Sequence, residues 1–243
     1  MTRLKLPDLA FLAAVTPEAG ANVVTSGLQL YVDAGNSSSY SGSGTTWADL
    51  STNSRDCTLT GGPSYSSADG GSFYFAGPNS GEYAQMSGSI STSTGATFFA
   101  FIKRDGENTN FNGLIFSRGS GGSTTGMNTA SSNNTTALAY HWNDSFQTFG
   151  NLKPSNLTWA MVAITFGSNQ AIGYMGTSGG ITSQTLTQTT SSTTLADVEI
   201  AGNHAFSDRY FKGYISVAMI YNRPLSSTEI TQNFDAFKAR YGY

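Results

Sequence analysis

Two acids two residues apart, Asp197-Val-Glu199, are the residues whose spacing comes nearest to catalysis. On one strand they share a face and stand about 6–7 Å apart, near the carboxylate separation of glycosidases. A hydrolase of that kind needs one group as acid and the other as base or nucleophile. Here a third acid is missing and the pair opens a strand where an exposed edge is expected. A solvated or capping role is therefore the competing reading. His141 and His204 have no partner at metal-ligand spacing, so a zinc site is not expected. No Gly-x-Ser-x-Gly elbow is present, and Gly119-x-x-Gly122 lacks the lysine and helix of a phosphate loop.

Binding chemistry is better represented. Tyr140-His141-Trp142-Asn143-Asp144 sets two aromatics beside an amide and a carboxylate where a strand enters a loop. Sugar recognition uses such a set: a flat apolar face with polar atoms at its edge. Tyr140, Trp142, Asn143 and Asp144 are the candidate ligand residues, with Trp47 and Tyr40 as further stacking candidates. The alternative makes Tyr140 and Trp142 alternate core positions and Asn143-Asp144 a turn. Asn203-His204 with Asp208-Arg209 forms a second polar loop of similar character.

These side chains need a scaffold, and the spacing predicts strands. Leu28–Asp33, Ser72–Phe75, Tyr83–Met86, Ala96–Lys103, Gly113–Arg118, Ala137–Trp142, Thr158–Phe166, Gln170–Met175, Thr182–Leu186, Val198–Ala201 and Phe211–Asn222 are short runs broken by Gly, Ser and Asn. That is the pattern of a sandwich. TFFAFI (Thr97–Ile102) and WAMVAI (Trp159–Ile164) are apolar on both faces and belong mid-sheet, covered on both sides. Phe211–Asn222 alternates as a strand with one buried face. Arg223-Pro224 ends it, and Ser226-x-x-Glu229 is a capping box with Leu225 and Ile230 as its staple. A helix over 227–240 follows, with Ile230, Phe234, Phe237 and Tyr241 on one stripe and Lys238 and Arg240 at its negative end. Gly35–Thr46, Gly119–Thr136 and Thr187–Thr194 read as polar connectors.

The closing run resembles the last strand of laminin G-like domains of the concanavalin A-like superfamily, in the form common in secreted bacterial and phage proteins. The matching residues are Phe211, Gly213, Ile215, Ile220, Tyr221, Asn222, Arg223, Leu225, Ser226, Glu229 and Ile230. Gly27–Asn36 and Trp47–Ser51 resemble the first strand and following loop. The resemblance spans roughly Gly27 to Tyr243 and implies an all-β fold, a two-sheet antiparallel jelly-roll sandwich with a C-terminal helix. It says little of activity, because this fold carries lectins, hydrolases, adhesion modules and virion proteins. The sandwich glucanases that resemble it carry Glu-x-Asp-x-(x)-Glu on one strand; this chain does not. Calcium is common in such domains, but relatives often show Phe-Asp-Gly-x-x-Asp-Tyr where this chain has Phe75-Ala76-Gly77-Pro78-Asn79-Ser80-Gly81-Glu82-Tyr83. Ala76 replaces the usual acid. No cofactor is expected, and Asp33 and Asp49 are read as ties for loop backbone.

Composition bounds the partners. The chain has 243 residues, net charge −3 and 11% charged residues, against about 25% in ordinary soluble proteins. Its 12 Lys and Arg are scattered, which argues against nucleic acid. No apolar run reaches the roughly 20 residues that span a bilayer. The lone Cys57 permits no internal disulfide and reads as a buried apolar residue. Met1–Lys5 (basic) and Leu9–Val15 (apolar), with Ala19-Gly20-Ala21, weakly resemble a signal peptide, but Pro7 and Asp8 interrupt the short core. Residues 1–26 are read instead as a retained arm, with Leu4, Leu6, Leu9, Phe11 and Leu12 needing cover from its own sandwich or a neighbour. The domain proper is then 27–243. The retained apolar arm, the missing catalytic acids and the uncharged surface lead to the expectation of a non-enzymatic structural protein, and the resemblance to laminin G-like domains of phage proteins implies a virion role, as a phage head decoration or fibre subunit. Its partners would be capsid or other virion proteins, within an oligomer. The alternative is a secreted or virion-borne module that binds surface glycans.

Overall fold

A computed structural model describes residues 20–106, 111–118, 123–129, 136–203 and 206–243. Leu4, Leu6, Leu9, Phe11 and Leu12 of the expected arm lie outside the described residues, as does His204.

The chain forms strands β1 (Leu28–Asp33), β2 (Thr46–Trp47), β3 (Cys57–Thr60), β4 (Ser64–Ser66), β5 (Ser72–Ala76) and β6 (Tyr83–Met86). Next come β7 (Ser89–Thr92), β8 (Ala96–Arg104), β9 (Asn112–Ser117), β10 (Thr125–Thr129), β11 (Leu138–Trp142) and β12 (Ser145–Thr148). β13 (Trp159–Gly167), β14 (Gln170–Thr177), β15 (Gly180–Thr187), β16 (Thr193–Ala196), β17 (Val198–Ile200) and β18 (Lys212–Tyr221) precede helix α1 (Ser227–Phe237). Sheet A runs β15-β14-β13-β8-β18-β5-β4, with β1 also paired to β18. Sheet B runs β12-β11-β10-β9-β17-β6-β3-β2, and β7 pairs with β16 apart from both. This is the all-β, two-sheet antiparallel sandwich that the strand spacing predicts.

The doubly apolar runs occupy the middle of sheet A. Phe98, Ala100 and Ile102 of β8 and Val162, Ile164 and Phe166 of β13 face sheet B. The alternate residues Phe99, Phe101, Met161 and Ala163 face α1. One sheet thus closes two cores, and each fully buried large side chain contributes about 1.5–3 kcal/mol.

β18 departs from its expected single buried face. Its pairing with β8 slips between Ile215 and Val217. Ile215 faces sheet B, but after the slip Ala218 and Ile220 do so, while Val217, Met219 and Tyr221 turn toward α1. A bulge inserts one residue, and one residue inverts the alternation. The residue at the slip, Ser216, is buried; its Oγ donates to the Gly71 carbonyl at 2.6 Å and its carbonyl accepts from Ala34 N at 2.8 Å.

The capping box forms as expected. Ser226 Oγ accepts from Glu229 N, and Glu229 Oε2 accepts from Ser226 N at 2.8 Å. Arg223 grips the same carboxylate at 2.6 and 3.1 Å, and chiefly for that reason the Glu229 pKa falls to about 2. Leu225, Ile230, Phe234 and Phe237 are buried on sheet A, and Tyr241 stacks on Phe101 at 4.5 Å. Gly176 permits this approach: a Cβ there would stand 2.7 Å from the Phe234 ring. The α-helix ends at Phe237, and Lys238–Tyr241 continue as a 3-10 turn. Arg240 does not serve the helix end as expected. It reaches back to Asp33 of β1 in a two-bond ion pair, Nη1–Oδ1 2.6 Å and Nη2–Oδ2 2.9 Å. Asp33 is fully buried and the Arg240 side chain is 8% exposed.

Residues 20–26, the described part of the expected arm, lie along α1 of the same chain. Gly20 N donates to Ala236 O at 2.9 Å, Gln232 Nε2 to Asn22 O at 2.9 Å, and Val24 N to Asn233 Oδ1 at 2.8 Å. Val24 is buried in the helix-side core. Among the described residues no helix is long and apolar enough to cross a membrane.

Candidate ligand-binding site

β11 and β12 form a hairpin in which Trp142 pairs with Ser145. Asn143 (φ 46°) and Asp144 (φ 69°) make the turn. Two positive φ values are the two-residue turn whose twist suits a hairpin, and Asn and Asp tolerate them best. Asn143 N donates to Thr125 Oγ1 at 3.1 Å, and Asp144 Oδ1 accepts from Thr124 N at 2.8 Å. The second bond, first among several causes, holds the Asp144 carboxyl below its usual range.

Tyr140 and Trp142 point inward. The Trp142 ring stacks on Phe166 at 4.4 Å, and Tyr140 meets Phe166 edge-on at 5.0 Å. Neither offers a flat face to a sugar, because their side of β11 fills the space opposite β13. Tyr40 and Trp47 are likewise closed against Phe73, at 4.7 and 4.9 Å. The expected stacking platform is therefore absent at all four residues.

Trp142 and Asn143 nevertheless border a cleft of about 470 Å³, walled by Gln147 of β12 and by Gln188 and Ser191 of the 188–192 connector. Gln188 organises it. Its Oε1 accepts from Tyr140 OH at 3.1 Å and from Ser145 Oγ and Gln147 Nε2 at 3.3 Å each. Asn143 Nδ2 donates to Ser191 Oγ at 2.7 Å. Trp142 Nε1 is buried without an acceptor. The cleft is thus a set of fixed amides and hydroxyls, suited to a polyhydroxylated ligand and not to an apolar one. Sequence reasoning missed Gln147, Gln188 and Ser191, treating their segments as an unmarked strand and a connector. The available signal was two glutamines among serines and threonines. A second cleft, of about 390 Å³, lies between β14 and the start of α1; Gln170 is its one amide.

The outward side of sheet B carries a different chemistry. Ladder pairing sets Phe146, His141, Gly126, Phe116, Glu199 and Gln85 in one row. The His141 ring lies 5.0 Å from Phe146, 5.4 Å from Phe116 and 5.6 Å from Phe111. Gly126 leaves room for the Phe116 ring, which a Cβ would approach to 2.8 Å. Desolvation, then the positive charge of Arg118, lowers the His141 pKa to about 4. Asn128 Nδ2 lies 3.4 Å from His141 Nδ1, so the neutral ring accepts there.

A pH dependence follows. Above about pH 6.5 the imidazole is neutral folded or unfolded. Between about 6.5 and 4 only the unfolded chain takes up the proton, so stability falls as pH falls. His141 is expected to remove about 1–2 kcal/mol of stability at pH 5 relative to pH 7.5. In urea unfolding at the two pH values, His141→Phe should lose that part of the change; an unchanged difference would assign it elsewhere.

The Asp197–Glu199 pair is not assembled. Asp197 lies exposed at a bend (φ 49°) between β16 and β17, so the two acids do not share a regular strand face. Glu199 is 1% exposed, not at an edge, because β17 fills the gap between β9 and β6. In the Phe75–Tyr83 segment, where Ala76 replaces the acid of related domains, Glu82 Oε2 accepts from Ala76 N at 2.6 Å. No cluster of three or more His, Cys, Asp or Glu occurs among the described residues. Asp49 does tie backbone, accepting from Tyr31, Ser51 and Arg55 N at 2.9 Å each. Cys57 is buried, and burial pushes its thiol pKa up.

A family model of the laminin G type, described as the concanavalin A-like lectin/glucanases superfamily, matches residues 77–231. The chain belongs to this superfamily. The concanavalin A-like sandwich is similar to domain 4 of AbnA, a GH43 extracellular arabinanase from Geobacillus stearothermophilus solved with arabinotriose. The TM-score is 0.62 at 16% identity, over 86% of this chain and 99% of that one. It is also similar to Trypanosoma rangeli sialidase in complex with sialic acid, with TM-score 0.61, 16% identity and coverage of 91% of this chain but 35% of the sialidase. The botulinum neurotoxin serotype G binding domain gives 0.59 at 11% identity, over 87% of this chain and 51% of that domain. These likenesses concern the fold, and the sandwich spans about a third of the sialidase. No curated protein matches the sequence.

Proposed function

We propose that the protein is a non-catalytic carbohydrate-binding or adhesion module that holds a glycan in the cleft bounded by Asn143, Gln147, Gln188 and Ser191. The observation that carries this reading is the Gln188 network, in which one buried amide fixes three donors around a sugar-sized opening. Fixed polar groups bind without the entropic cost of ordering them. The presence of arabinotriose and sialic acid in the structures of two similar folds is in keeping with it. The test is Asn143→Gly. Glycine suits the positive φ of that turn, so the fold stays while the side-chain amide goes. On a glycan array the variant should bind at least about tenfold more weakly, the loss of one or two hydrogen bonds. Equal binding, or no binder for the native chain, would remove the cleft from the account.

A second reading, that the module is carried on a virion, draws on the path of residues 20–26. They lie against α1, on the far side of sheet A from sheet B. In this reading the attachment is carried by residues 1–19, outside the described residues. A chain lacking 1–19 should keep its glycan binding and lose attachment to capsid or fibre proteins in pull-down; attachment at full occupancy would dispose of the tether.

A further inference from the structure

We propose that Arg118 and Arg209, on the outward side of sheet B, form a subsite for the carboxylate of an acidic sugar, in a glycan whose neighbouring unit occupies the amide-lined cleft. This rests on the glycan-binding reading above and adds the class of ligand.

The arrangement of the two cations is unusual for a chain so poor in charge. Both guanidiniums lie over the ring of Phe206, Arg209 at 3.8 Å and Arg118 at 5.0 Å. Arg209 also lies 5.0 Å from the Phe111 ring and Arg118 5.9 Å from Phe116. Aromatic faces therefore hold two like charges side by side. Their mutual repulsion, after desolvation, lowers the Arg118 pKa. The other described arginines have oxygen partners. Arg223 and Arg240 hold Glu229 and Asp33, and Arg55 and Arg104 donate to backbone carbonyls. Arg118 and Arg209 show no ion pair or hydrogen bond to an oxygen among the described residues, and the Nε of each is buried without an acceptor. Asp144 is near enough to influence Arg118 electrostatically but makes no ion pair with it.

An anion between the two guanidiniums relieves this repulsion. A planar carboxylate matches the donor fork of each. Phe206, 37% exposed, offers beside them an apolar face for sugar C–H groups. The Asn143-Asp144 turn connects the two places. Asn143 walls the cleft, and Asp144 is anchored to Thr124, on the strand side that leads to Arg118 and His141. A sugar chain crossing this turn meets amides on one side and cations on the other.

The test uses the full chain and a panel of uronic- and sialic-acid oligosaccharides, each paired with its carboxyl-reduced form, by titration calorimetry at 50 and 300 mM salt. Oligoglutamate and inorganic sulfate serve as anions without a sugar ring. The acidic form of at least one pair should bind tenfold or more tightly than its reduced form, and the preference should shrink at high salt. Arg118→Gln and Arg209→Gln should each abolish the preference while leaving binding of the reduced form within twofold; Asn143→Gly should weaken both forms. If acidic and reduced forms bind alike, and the arginine variants change nothing, the subsite is overturned and the glycan-binding reading stands. If oligoglutamate or sulfate matches the acidic sugars, the pair is a general anion site and the proposal fails. If no oligosaccharide of either form binds, the glycan-binding reading falls and the subsite with it.

Discussion

Arg240→Leu should lower the stability of the domain by about 3–5 kcal/mol, because it leaves the Asp33 carboxylate buried without its counter-charge. Asp33 would retain only Gly35 N at 2.8 Å and a 3.5 Å contact from Tyr31 OH. At about 2–4 °C per kcal/mol for a domain of this size, the thermal midpoint should fall by about 6–20 °C. The contribution comes from the coupling of β1 to the turn after α1, through residues that stand 207 positions apart in the chain. A double variant, Asp33→Leu with Arg240→Met, should recover much of the loss, since apolar replacement of a whole buried pair is often close to neutral. Circular dichroism melts of the three proteins check this. If the double variant melts as low as the single one, shape and not charge pairing holds that corner.

Phe166→Ala should combine a large stability loss with a loss of ligand binding. Phe166 is fully buried and touches Phe98 at 6.0 Å, Tyr140 at 5.0 Å and Trp142 at 4.4 Å. Truncating a buried phenylalanine costs about 3–5 kcal/mol. Its removal also takes away the support beneath Tyr140, whose hydroxyl holds Gln188, and beneath Trp142 at the cleft. Phe234→Ala, on the buried face of α1, is the control, with a comparable stability loss and no place in the lining of the cleft. At 10 °C, with the folding of both variants checked by circular dichroism, Phe166→Ala should bind glycan at least tenfold more weakly than Phe234→Ala. Equal affinities would show that the cleft does not depend on what lies beneath it.

The sandwich was legible because its signals are local and repeat. TFFAFI and WAMVAI declare two buried faces by composition alone, and Ser226-x-x-Glu229 declares a helix start by spacing. The site was legible only in part, for a reason of parity. Within Tyr140-His141-Trp142, the sequence offers the two large aromatics as ligand candidates beside the alternative that they are core positions, and alternation sends them inward and leaves His141 outside. Which set faces out depends on what lies opposite, here Phe166, and that is not written in β11. The cleft walls were illegible for a related reason: Gln188 stands 40 residues or more from Tyr140, Ser145 and Gln147, and only the closing of the two sheets brings them together. The short strands β2, β3, β4, β7, β10, β12 and β16 were missed because two to five largely polar residues carry too little alternation to read, and β10 falls inside 119–136, expected as a polar connector.

The extra residue in β18 makes residue count, more than identity, the sensitive quantity in the closing strand. Upstream of Ser216 the strand addresses one core; downstream the same odd-numbered positions address the other. Exchanging one apolar side chain there alters the packing around one position. Deleting one residue would restore strict alternation and turn Tyr221, Met219 and Val217 away from the helix together. Length variation among related chains should therefore collect in the loops before Lys212 and after Tyr221, and spare the segment between them.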